Sequence, residues 1–202
     1  MIAIIDYGLG NVRAFANVYK KLNIPTLIVR RVEDMKAVKK IILPGVGAFD
    51  QAMQMLEKSG MRRLIDDLVL YHHVPVLGVC VGMQMLARSS EEGNLPGLGW
   101  IDADVMRVYS SSSKRPLPHM GWNDIKAIKD NSLFRNIDQG TLFYFLHSFY
   151  MHCNKMEDVI ATVNYGSEFT CAVNAGNVYG VQFHPEKSHR FGSQLLKNFA
   201  EL

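Results

Sequence analysis

The segment Gly78-Val79-Cys80-Val81-Gly82 sets a thiol between two glycines, directly after the apolar run "HVPVLGV" (73–79). A cysteine there is either a small core residue or a nucleophile raised on a turn. G-x-C-x-G at a strand-to-helix junction is the nucleophile-elbow pattern with cysteine in place of serine. Side chains at 78 and 82 would crowd a strained turn, and glycine avoids that. A helix starting after the turn would aim free N–H groups and its positive end at the sulfur, which favours thiolate. A thiol also needs a base, and the base an orienting acid. His184 and Glu186 in "VYGVQFHPEKS" (178–188) could supply both, with Pro185 fixing the backbone between them. Taken alone, that segment also reads as an ordinary turn. "IILPGVGAF" (41–49) runs a buried strand into Gly45-Val46-Gly47, where backbone N–H groups could approach a substrate oxygen as an oxyanion hole requires. Its alternative is a plain strand-to-helix turn. Together the three segments form a stronger pattern than any one of them.

The surrounding pattern supplies elements to position them. "IAIID" (2–6), "TLIVR" (26–30), "KKIILP" (39–44) and "PVLGV" (75–79) read as buried strands. Amphipathic helices fall between them at 11–22, 48–60 and 61–73, with Gly60 as punctuation. A further helix is expected from about Gly82 to Ser89. Alternating strands and helices predict a mostly parallel sheet with helices on both faces. Cys80 and His184 both follow predicted strands, at the carboxyl ends where sites in such folds gather. The second half changes to successive strands at 103–109, 122–128, 142–149, 159–165, 169–175 and 178–183, closed by a helix over 193–202. "YSSSSKRPLP" (109–118) reads as a flexible loop. One domain spanning 1–202 is expected, with no internal repeat and no linker.

Composition narrows the function class. The chain has 202 residues, 48% of them hydrophobic, and a formal net charge of +3. That mild charge, without a lysine/arginine block, gives no sign of nucleic-acid or membrane binding. No apolar run approaches the ~20 residues of a membrane span. The start "MIAIIDYGLG" has no basic residue and no long apolar middle, so it is not a signal peptide. Cys80, Cys153 and Cys171 are odd in number and widely spaced, which speaks against a disulfide frame or zinc site and for a reducing cytoplasm. "DYGLGN" (6–11) has a GxG after the first strand, but Arg13 stands where a dinucleotide fingerprint needs its third glycine. The methionines at 53, 55, 83 and 85 read as core or helix filler.

"GVCVGMQ", "FHPEKS" and "PGVG" together resemble the class I (triad) glutamine amidotransferases, and the resemblance spans nearly the whole chain. Within that family "PHMGWN" and Met83 are most similar to the glutaminase subunits of imidazole glycerol phosphate synthases; related domains of other pathways usually carry histidine at the place of Met83. Val81 departs from the usual leucine. The resemblance implies a flavodoxin-like α/β fold with a mostly parallel central sheet and extra antiparallel strands in the second half. It implies L-glutamine as substrate and Cys80, His184 and Glu186 as catalytic triad. Backbone N–H groups of Gly45, Val46, Gly47 and Val81 would meet the oxyanion, and Gln84, Glu92 and Ser148 would bind glutamine. It implies a heterodimer with a (βα)8-barrel cyclase that receives the ammonia, and no cofactor. Asn11, Met120, Trp122 and Lys187 would face that partner near the ammonia entrance. A bland reading makes Trp122 core and Lys187 a solvated charge. Two other functions stay open at this point: the same chemistry feeding a sugar-amidating enzyme of surface-polysaccharide synthesis, and a catalytically silent binding subunit.

Overall fold

The computed structural model describes residues 1–35, 37–108 and 116–202. Most of the loop expected at 109–118 lies outside these residues. The first half alternates as expected: β1 (Ile2–Ile5), α1 (Val12–Lys21), β2 (Thr26–Val29), β3 (Lys40–Gly45), α2 (Phe49–Lys58), α3 (Arg62–Leu70) and β4 (Val76–Cys80). Every residue of β1 and β4 is buried, the continuous apolar signature of parallel strands covered on both faces. Asn11 starts α1 by accepting the Ala14 N–H at 3.3 Å. The fully buried Tyr19 of α1 donates its hydroxyl to the Leu196 carbonyl at 3.1 Å, which ties α1 to the final helix.

After Cys80 the chain departs from its local pattern. The helix expected over 82–89 is a single turn, α4 (Val81–Gln84). The carbonyls of Met85, Leu86 and Ala87 accept from Leu98, Ile101 and Gly99 N–H groups at 2.8–3.0 Å, so a distant loop replaces the next helical turn. Two residues then pair as β5 (Ser89–Ser90) beside β6 (Ala103–Arg107). Further on come β7 (His119–Ala127), β8 (Leu142–His147), β9 (Phe149–Cys153), β10 (Val159–Asn164), β11 (Glu168–Ala175), β12 (Val178–Val181) and α5 (His189–Glu201). The run 142–149 is two strands, because the chain changes sheets at Ser148: β8 pairs with β7, and β9 with β6. The final helix begins at His189, ahead of the expected 193. Trp122, at the start of the strand expected over 122–128, sits on β7, where the ladder to β8 holds it opposite Tyr144.

The main sheet has the order β2-β1-β3-β4-β12-β11-β10-β7-β8. Its first five strands are parallel and its last four antiparallel. The expected fold class is thus the observed one. The consequence for the site lies in the centre. β3, β4 and β12 are parallel neighbours, with Gly45 paired to Cys80 and Val79 to Val181. Three segments far apart in sequence therefore end side by side at one carboxyl edge.

Candidate active site

Cys80 closes β4 with φ 56° and ψ −115°, a conformation that L residues rarely adopt. The flanking glycines make it possible. A β-carbon on Gly82 would fall 1.9 Å from the Leu43 carbonyl oxygen, and one on Gly78 2.6 Å from that of Gly82. The elbow is thus pressed against β3 with no room for side chains, as its sequence predicts. The single turn α4 changes the electrostatic expectation, because four residues carry little macrodipole. The local N–H groups and neighbouring side chains must then stabilise a thiolate.

Those neighbours converge. His184, three residues past β12, places Nδ1 2.9 Å from Glu186 Oε1, and both side chains are buried. With Nδ1 engaged, Nε2 is the nitrogen left for the thiol. Burial alone would lower the His184 pKa. Hydrogen bonding to Cys80 and to Glu186, with their negative charge, outweighs it and raises the value to about 10. The second Glu186 oxygen is buried with no hydrogen-bond partner among the described residues. The His184 backbone is pinned on both sides: its N–H donates to the Tyr144 carbonyl at 2.8 Å, and its carbonyl accepts from the Ser188 hydroxyl at 2.6 Å.

A cavity of about 260 Å³ joins these groups. Cys80, His184, Val46, Gly47, Val81, Gln84, Glu92, Ser148 and Lys187 all line it, so most of the residues picked from sequence come together. Glu92 accepts the Phe49 N–H at 2.9 Å, which caps α2 immediately after the glycine turn. Lys187 sits 5.5 Å above the Tyr144 ring. Met120 and Trp122 are exposed on β7, and Asn11 is exposed at the start of α1; none of the three lines the cavity. Trp122 stacks on His189 with ring centroids 5.1 Å apart. Sequence reasoning passed over Pro118, Leu146, His147 and Phe149, which also line the cavity, and Gln182, whose amide nitrogen lies 3.9 Å from Cys80 Sγ. His147 and Gln182 stand next to or near motif residues, but nothing in their types separates them from core polarity. A larger open groove between Val32 and α3 has no cysteine, serine or histidine among its described lining residues. Among the described residues no group of three or more His, Cys, Asp or Glu is placed to hold a metal ion.

A buried thiol on a strained elbow, an imidazole on a buried carboxylate and a glycine turn beside them are the groups that a cysteine-dependent amide hydrolase needs. The profile of the family "Glutamine amidotransferase class-I" matches residues 3–202, and the chain belongs to that family. It is 54% identical to the "Imidazole glycerol phosphate synthase subunit HisH" of Bdellovibrio bacteriovorus and 53% identical to that of Leptospira interrogans, each over all of both chains. It is 46% identical, again over all of both chains, to "Imidazole glycerol phosphate synthase subunit HisH 2" of Pseudomonas aeruginosa. Two solved structures share the fold at low identity. One is the "Crystal structure of glutamine amidotransferase" (TM-score 0.75, 20% identity, 99% and 97% of the two chains). The other is the "Structure of PurLQS from Thermotoga maritima" (TM-score 0.76, 17% identity, 99% and 97%). Among the described residues no helix is long and apolar enough to cross a membrane.

Proposed function

We propose that residues 1–202 form one catalytic unit, the glutaminase subunit of imidazole glycerol phosphate synthase, which works in the cytoplasm on L-glutamine and passes the released ammonia to a (βα)8-barrel cyclase bound as a heterodimer. The observation that carries the reading is the convergence of Cys80 and His184 on one cavity past the carboxyl ends of β4 and β12, with Glu186 buried against the far nitrogen of the imidazole. The full-length likeness to subunits of that name supports the pathway.

In this reading the Cys80 thiolate attacks the side-chain amide carbon of glutamine. The oxyanion is met by the Val81 N–H and by N–H groups of the Gly45-Val46-Gly47 turn. One such donor is typically worth ~2.7–4 kcal/mol of barrier. His184, kept protonated by Glu186 and the sulfur, gives its proton to the leaving ammonia, and a glutamyl thioester remains. Neutral His184 then takes a proton from water, hydroxide attacks the thioester, and glutamate leaves with the thiolate restored. Gln84, Glu92 and Ser148 hold the substrate's polar end, and no cofactor takes part. The Gln84 amide nitrogen is spent on the Phe149 and Gln182 oxygens, so its carbonyl oxygen is the end left for the substrate.

The test is Cys80→Ala in the assembled complex. Glutamine-dependent product formation is expected to vanish, while synthesis by the barrel with free ammonia continues. Glutaminase turnover retained by the variant would exclude Cys80 as nucleophile.

A further inference from the structure

We infer that Gln182 is a further catalytic residue: its side-chain amide donates a hydrogen bond to the Cys80 sulfur and holds it as thiolate. The inference rests on the reading of Cys80 as nucleophile. Gln182 is fully buried just past β12, two residues before His184, and its Nε2 lies 3.9 Å from Cys80 Sγ.

A buried network decides which end of this amide meets the sulfur. The Phe149 carbonyl can only accept, so the Gln84 nitrogen faces it, at 3.0 Å. That same nitrogen lies 3.1 Å from Gln182 Oε1, which leaves the Gln182 nitrogen for the sulfur. The network continues in the same sense on the other side of Phe149. His147 Nδ1 donates to the Phe149 carbonyl at 2.8 Å, so His147 Nε2 accepts from His119 Nδ1 at 2.9 Å. His119 Nε2 then faces the Asn123 amide nitrogen at 3.2 Å, whose orientation is set by the Asn164 carbonyl and the Asp124 N–H, each 3.0 Å away. Burial, with His119 beside it, pushes His147 down to about 3, so it stays in the neutral tautomer the network requires. Donors and acceptors match at every step, and the sulfur is offered an N–H by Gln182.

That donor acts on one protonation state. A thiol can donate to the Leu146 carbonyl, 3.8 Å from Sγ, whereas a thiolate can only accept. Hydrogen bonds to the charged form favour it and are the stronger ones. Other ionisable groups around the sulfur come from every adjoining element: Tyr7 after β1, Glu92 after β5, His147 on β8, and His184 and Lys187 after β12. Tyr7 donates to the Pro44 carbonyl and so is committed elsewhere. Gln182 gives the thiolate a second donor beside His184.

The test is the pH dependence of Cys80 alkylation by iodoacetamide, read by mass spectrometry on the full chain, for wild type, Gln182→Met and Gln182→Glu. Gln182→Met removes the donor, and the midpoint is expected to rise by about one pH unit, since one unit corresponds to one charge-assisted hydrogen bond. Glutaminase kcat/KM with the barrel partner at neutral pH is expected to fall about ten-fold, carried by kcat. Gln182→Glu keeps an acceptor for Gln84 but loses the donor, and its midpoint is expected to rise at least as far. An unshifted midpoint in Gln182→Met overturns the inference. If that variant does not fold, an unshifted midpoint in Gln182→Glu does so. Turnover retained by Cys80→Ala would instead overturn the nucleophile reading, so the two failures are distinguishable.

Discussion

At the scale of single residues, the site trades backbone comfort for reach. Cys80 at φ 56° is held by its surroundings at a cost of order 1–3 kcal/mol. Glycine occupies that region without the β-carbon clash. Cys80→Gly is therefore expected to be at least as stable as Cys80→Ala, by up to about 1 kcal/mol in its favour, although glycine usually weakens a strand end. Thermal unfolding of the two variants side by side decides this; a clearly less stable glycine variant would mean the elbow is unstrained. The charge on His184 gives a second expectation. Its pKa is raised to about 10, so the imidazolium is present throughout the neutral range and is lost as pH rises through about 10. Cys80, beside that imidazolium, should be alkylated faster at neutral pH than Cys153 and Cys171, whose pKa values burial pushes up. Equal labelling of the three cysteines at neutral pH, with glutamine and partner present, would contradict an activated thiol.

At the scale of elements, the site depends on β3, β4 and β12 lying edge to edge. The closest contact is α4 against β3. In Gly82→Ala the new carbon would meet the Leu43 carbonyl at 1.9 Å, and β3 cannot yield without shifting the Gly45 turn. A loss of about 3 kcal/mol or more is expected, together with lost glutaminase activity. Denaturant unfolding and turnover of the soluble variant measure both, and a loss under about 1 kcal/mol would show that the elbow has slack. The elements themselves were legible to different degrees. α1 and the parallel strands are local patterns and sit where periodicity places them. The short α4 is not local, because Leu98, Gly99 and Ile101 supply the donors that stop it. Nor is the break at Ser148, where one apolar run serves two sheets.

At the scale of the whole molecule, the mouth of the cavity carries an exposed apolar rim. Val46 and Leu146 line the cavity and are exposed, and Met120 and Trp122 extend the rim along β7. Exposed large apolar groups clustered around a site mark docking faces, with Trp a frequent anchor, and we propose this rim as the face the barrel covers. Trp122 is set by its stack on His189, and Lys187 by its place over Tyr144. In the proposed heterodimer, docking of the barrel is expected to raise glutaminase activity; Trp122→Ala and Lys187→Ala are expected to leave the fold intact and to lose most of that rise, at least ten-fold for Trp122, the order of a hot-spot truncation. Assays of each variant with and without the barrel, its own substrate present, read this. Stimulation equal to wild type, or full turnover by the lone chain, would overturn the interface reading. The glycine-flanked Val46 peptide, at the rim and beside Cys80, is where docking could reach the oxyanion donors at modest backbone cost.

Sequence alone determined the class of chemistry and the order of the first elements. Cysteine between glycines, histidine two residues from glutamate, and apolar runs at strand and helix spacing are local signals, written in residue types over a few positions. The tertiary structure decided what those signals share. It brought Gly45, Cys80 and His184 to one edge, because parallel pairing aligns strand ends that lie far apart in sequence. It cut α4 to one turn and left Trp122 exposed on its strand instead of in the core. It also gave Gln182, Gln84 and His147 their orientation. A buried amide or imidazole has two hydrogen-bonding ends of opposite sense, and only its partners in the folded chain choose which end meets the sulfur.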